Sequence, residues 1–154
     1  NYDIFSYGHD IEASWLLHEA AQVLGDKAVL AKVEERIPSI VAAATEGFTP
    51  EGGMIYEKCG EEIDGDRHWW VQAEASVGYF NLWEHFGAGE GLENALHCWE
   101  FIKAGLIDRE NGEWFWSVRA DGTVNRDDDK AGFWKCPYHN SRMCLEIIER
   151  TATI

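Results

Sequence analysis

The chain has 154 residues, enough for one domain or part of one, with a formal net charge of −15 from 28 acidic and 13 basic residues. A surface this acidic repels phosphate backbones and excludes nucleic acid as a partner. No apolar run approaches the ~18 residues that a membrane span needs, and no signal peptide opens the chain. Cys59, Cys98, Cys136 and Cys144 follow no CxxC spacing, so a reduced, cytoplasmic protein without a zinc site or disulfide framework is expected. Eight Trp, seven Phe and five Tyr suffice to pave a core or a sugar-binding surface, since pyranose C–H faces pack flat on indole.

Asp10 to Leu24 is apolar nearly all round and stops at Gly25, the pattern of a helix enclosed on most sides. Lys27 to about Thr45 differs: Val29, Val33, Ile37, Ile40, Val41 and Ala44 follow 3–4 spacing against a charged face, so this helix has one wet side. Pro38 lies inside it and should bend it. Residues 47–65 read as an irregular connection, with a Gly52-Gly53 turn before a Met54-Ile55-Tyr56 run suited to a strand. Asp66 is placed to cap a second enclosed helix from Arg67 to about Phe86, in which Ala73, Ala75, Ser76 and Gly78 let neighbours come close. A half-wet helix follows from Leu92 to Leu106.

The turn signals Asn111-Gly112 and Asp121-Gly122 frame Trp114, Trp116 and Val118 at period two, which predicts a rim β-hairpin. The acidic loop Arg126 to Lys130 reads as solvated and mobile. Tyr138 to about Ala152 is a third enclosed helix, and Pro137, tolerated only in a first turn, sets His139 at its start.

Helix type thus alternates inner, outer, inner, outer, inner, the order expected of a double-layered ring. A chain bounded by two inner helices leaves two lateral faces without partners. The other helices should come from a segment outside these residues, as a start at Asn1 rather than Met suggests, and the polypeptide alone should expose apolar edges and associate.

His9 opens the first inner helix, with Glu12 one turn on, where a carboxylate would raise the basicity of the imidazole and select its tautomer. His139 opens the third, near the positive end of a helix dipole that disfavours the protonated ring. Taken singly, each also fits a structural role, His9 as a helix cap bonded to Glu12. Taken together, their matching helix ends place both at one cavity mouth. That suits removal of a proton beside a carbonyl from one face and its return to the other.

Glu12 and Glu74 fall inside enclosed helices and need a histidine, an arginine or a sugar hydroxyl as partner. Arg142 is the candidate arginine, whether as anchor or as substrate contact. Trp69, Trp70 and Trp134 are the candidate sugar platforms, with at least one of the helical pair facing the pocket. His68 adjoins that pair, whereas His18, His85 and His97 read as surface or packing positions. No HExxH or similar spacing supports a metal, and none is expected.

Three motifs occur in order: Tyr7-Gly8-His9-Asp10-Ile11-Glu12, Trp69-Trp70-Val71-Gln72-Ala73-Glu74-Ala75, and Trp134-Lys135-Cys136-Pro137-Tyr138-His139-Asn140-Ser141-Arg142-Met143. Together they closely resemble the cellobiose 2-epimerases of the N-acylglucosamine 2-epimerase superfamily. The resemblance implies an all-α fold, part of an (α/α)6 barrel with a short rim β-hairpin. Residues 1–154 would be the C-terminal segment of a single barrel domain whose N-terminal portion is absent. It also implies epimerisation at C2 of the reducing-end glucose of cellobiose and related β-1,4-linked oligosaccharides. The route is an enediolate, with His9 and His139 as the acid/base pair and no cofactor, and the counterpart of Trp134 lies against the substrate. Further pocket residues, an arginine and another histidine, would come from the missing half, so the segment alone is expected to be inactive. The alternatives are an N-acylglucosamine 2-epimerase or mannose isomerase sharing the histidine pair, a glycoside hydrolase using Glu12 and Glu74, or a noncatalytic carbohydrate-binding module.

Overall fold

A computed structural model describes residues 3–152. Strand β1 (Ile4–Phe5) leads into helix α1 (Tyr7–Leu24), which ends where Gly25 adopts a left-handed conformation and its N–H returns to the carbonyls of Ala21 and Gln22. Asp26 caps α2 (Lys27–Thr45) by accepting from the N–H groups of Ala28 and Val29, and α2 runs through Pro38 as one element. Residues 47–65 are more ordered than their composition suggests. Strands β2 (Glu57–Cys59) and β3 (Glu62–Asp64) form an antiparallel hairpin, and β1 pairs with β2 to complete a three-stranded sheet. The Met54-Ile55-Tyr56 run is not a strand. Met54 makes a single bridge to Phe48, and the buried Gln72 amide takes both its N–H and its C=O at 2.7 Å.

The central helix, α3 (Trp69–Phe86), is buried continuously from Trp69 to Leu82. Asp66 does not cap it, because its carboxylate is taken by the backbone N–H of Ala120 and the hydroxyl of Ser117. The helix begins instead at a strand junction, where β4 (Arg67–His68) pairs with β5 (Ser117–Val118) and Trp69 N–H donates to the carbonyl of Trp116. Helix α1 packs on α2 and on α3, and α3 packs in turn on α4 (Gly89–Phe101) and α5 (Tyr138–Thr151). Gly78 makes the α1–α3 contact possible: a Cβ there would lie 2.6 Å from Cγ1 of Ile11. After Phe101 the chain winds through a π turn (Ile102–Leu106), which ends the helix predicted from Leu92 to Leu106.

Both predicted turns are present, but the rim hairpin is reduced. Trp114 bridges Ile107, Val118 bridges Val124, and only Ser117–Val118 forms a regular strand. The acidic loop is pinned to the body: Asp127 accepts from Arg119, Asp128 from Asn125, and Lys130 donates to Asp108. Of the three helices expected to be enclosed, only α3 is. Helix α1 leaves Leu17, Val23 and Leu24 exposed, and α5 buries only Asn140 and Met143 while Leu145 and Ile148 face outward. These exposed apolar residues lie on the first and last helices of the described residues, the two expected to lack lateral partners.

Candidate active site

A cavity of about 400 Å³ opens where the N-terminal ends of α1, α3 and α5 converge. His9 and His139 both line it, each within the first turn or so of its helix, as the matching helix ends predict. Trp70 lies near both: its ring centroid is 4.7 Å from that of His9 and 5.6 Å from that of His139. Trp69 and Trp134 line the cavity too, so both helical tryptophans and the loop tryptophan reach it. Trp134 is 81% exposed, held at the rim by its loop rather than by packing.

The groups holding the two histidines differ. His139 Nδ1 lies 2.7 Å from Oε1 of Glu74, a carboxylate only 1% exposed in the second turn of the central helix. A carboxylate oxygen accepts, so Nδ1 carries a proton, and in the neutral ring the lone pair is on Nε2. His9 does not pair with Glu12. Its Nδ1 is 2.7 Å from Oγ of Ser6, and Glu12 accepts from Arg142 at 2.5 Å. The reason is the guanidinium, which binds Glu12 and Glu74 together and leaves a serine hydroxyl, able to donate or accept, as the partner of His9.

Glu74 is therefore a hub behind the wall rather than part of it. It also accepts from Trp15 Nε1 at 3.0 Å and from Arg142 at 2.7 Å. Arg142 donates further to the Tyr138 hydroxyl at 2.6 Å and lies over the rings of Trp15 and Tyr138. Burial alone would lower its pKa, but the bonds to Glu74 and Glu12 outweigh that and raise it. Glu12 reaches the cavity, whereas Glu74 and Arg142, also expected to contact the sugar, are absent from its lining. Glu12, Glu74 and His139 also bring possible metal-ligand atoms within 4.8 Å of one another, and the guanidinium of Arg142 already supplies both carboxylates with a cation.

Two lining residues, Tyr56 and Trp116, escaped sequence reasoning, whereas His68, beside the tryptophan pair, reaches the cavity as its position allows. Tyr56 stacks on His68, with centroids 4.2 Å apart, and Trp116 packs against Trp69 at 4.7 Å; all of them face the cavity. Burial lowers the pKa of His68 despite nearby carboxylates. The signal available in the sequence is the Trp114-Trp116 alternation, which leads into a strand paired beside the start of α3 rather than into a full rim hairpin. His18, expected at a surface or in packing, is buried and has polar partners in Asn81 and Glu34.

The chain is 63% identical over 149 residues to a cellobiose 2-epimerase of Bacteroides fragilis, covering 96% of this chain and 38% of that protein. It is 45% identical over 153 residues to a cellobiose 2-epimerase of Ruminococcus albus, covering 99% of this chain and 39% of that one. Among solved structures, a sugar epimerase from a ruminal bacterium superposes with a TM-score of 0.91 at 44% identity, covering 96% of this chain and 38% of that one. The chain thus spans a little over a third of the length of the curated relatives it matches, and its helices are part of an (α/α)6 barrel. The family model for N-acylglucosamine 2-epimerase (GlcNAc 2-epimerase) matches residues 3–142, a span that takes in both histidines, the tryptophan-lined cavity and the buried Glu74 hub. This chain belongs to the N-acylglucosamine 2-epimerase family.

Proposed function

We propose that this chain is the C-terminal segment of a barrel enzyme that epimerises C2 of the reducing-end glucose in cellobiose and related β-1,4-linked oligosaccharides. The observation that carries this reading is the pair of imidazoles, His9 and His139, lining one cavity and each packed near the ring of Trp70. The names of the two cellobiose 2-epimerases it resembles favour the disaccharide.

The substrate binds with its apolar sugar faces on Trp69, Trp70 and Trp134 and opens to the aldehyde. One imidazole then takes the proton from C2, and the electron pair of the broken C–H bond forms the C1–C2 double bond of an enediolate. The other imidazole returns a proton to C2 from the opposite face, the C1 carbonyl re-forms, and the ring closes on the mannose epimer. Glu74 holds His139 with Nε2 toward the cavity as a base. Ser6 leaves His9 free to present either a lone pair or a proton. The remaining helices of the ring, and the further pocket residues they bring, belong to the portion outside this segment.

The test uses the full-length enzyme in D2O with cellobiose, N-acetylmannosamine and mannose supplied separately. Deuterium at C2 of the cellobiose-derived epimer is the expected result. Conversion of only a monosaccharide would replace the substrate assignment, and release of free glucose from cellobiose would replace the reaction.

A further inference from the structure

We propose that Lys135 is a positioning residue for sugar binding, pinning the turn that carries Trp134 so that this indole stands over the cavity. The proposal rests on the epimerase reading above and extends it to a residue that touches no substrate. Trp134 and Phe133 are both strongly exposed and meet edge to face at 4.9 Å. Rings that gain so little from packing do not hold their own place, so the backbone around them must set it.

Lys135 provides the anchor. Its side chain is 0% exposed, an expensive position for an ammonium unless every donor finds a partner. Nζ donates to Oε1 of Glu113 at 3.0 Å and to the carbonyl of Lys130 at 2.7 Å, and it lies 5.1 Å from the ring centroid of Trp69. The carbonyl of Lys135 accepts from Gly132 N–H at 2.8 Å, closing the turn. Glu113 also accepts from Nδ2 of Asn140 at 3.0 Å, next to His139 at the start of α5. One ammonium therefore ties together the cavity floor at Trp69, the turn bearing Trp134, and the helix start bearing His139. A second observation points the same way: Glu113 is the one non-glycine residue with positive φ, 62°, among the described residues. Such strain is kept where the surroundings demand a particular geometry, here a carboxylate aimed at Lys135.

The experiment uses full-length enzyme labelled with 5-fluorotryptophan, with the Trp134 signal assigned from W134F. In K135M the Trp134 fluorine resonance is expected to shift, and KM for cellobiose to rise ~10-fold with kcat within about twofold. In K135M/E113Q, where no carboxylate is left without its cation, the melting temperature is expected to recover while the raised KM persists. An unshifted Trp134 signal, a fall in kcat at constant KM, or a KM that recovers along with stability would each overturn the proposal. Failure of the unaltered enzyme to epimerise cellobiose counts against the epimerase reading alone, because the fluorine shift still decides whether Lys135 places Trp134.

Discussion

Oε1 of Glu74 accepts from both His139 Nδ1 and Arg142 Nη2, each at 2.7 Å, so one buried oxygen orients the imidazole and neutralises the guanidinium. Glu74→Gln keeps the shape and removes the charge that selects the tautomer. In the full-length enzyme kcat is expected to fall roughly 10²–10⁴-fold with KM little changed, by analogy with loss of the orienting carboxylate in a catalytic triad. Steady-state rates above half of the unaltered value would show that Glu74 is only a packing residue.

The proposed pair of bases on opposite faces of C2 predicts unequal isotope exchange. His9→Ala and His139→Ala should each lower epimerisation ~10²–10⁴-fold. Each variant should still exchange the C2 hydrogen of one epimer with solvent, and the two variants should differ in which. Proton NMR of glucose- and mannose-ended disaccharides in D2O reads this directly. Exchange of the same epimer by both variants would mean a single base.

Burial holds the His68 imidazole below its ordinary pKa, against the opposing pull of Asp64, Asp66 and Asp128. The folded-state value is therefore below the unfolded one. Stability from the neutral ring is complete above ~6.5, declines as pH falls below that, and is gone once pH passes the depressed folded value. Burial shifts His85 in the same direction. Melting temperature should drop on the acid side, and His68→Asn should make that drop shallower. An unchanged profile in the variant would remove His68 from the account.

The exposed Leu17, Val23 and Leu24 of α1 and the exposed Leu145 and Ile148 of α5 make the 154-residue chain self-adhesive. A groove of about 440 Å³ lined by Phe80, Leu96, Met143 and Ile147 adds apolar surface beside α5. Sedimentation of the chain by itself should show dimers or larger species at micromolar concentration and binding of a hydrophobic dye. A clean monomer that ignores the dye would contradict this.

Much of the site was legible because histidines at helix starts and tryptophans in apolar helices obey local rules: where a helix begins decides where its first side chains point. The enclosure of α3 was visible for the same reason, while that expected of α1 and α5 is not met among the described residues. Partnerships across the chain were not. Glu12 is one turn from His9, yet it bonds Arg142, which lies 130 positions away, because a guanidinium outcompetes an imidazole for a carboxylate. Asp66 precedes a helix but is drawn off by Ala120 and Ser117. Gln72 takes both backbone groups of Met54 and so prevents the strand its neighbours favour. Each miss is a long-range hydrogen bond overriding a local preference.

Gly78 acts as a spacer gauge for the chemistry. Helix α1 carries His9, while α3 carries the carboxylate that fixes His139, and their separation is set where Ile11 lies against a residue with no side chain. A single methyl group at that contact would wedge the helices apart and open the gap between the two imidazoles, detuning the proposed proton transfer without touching the cavity itself.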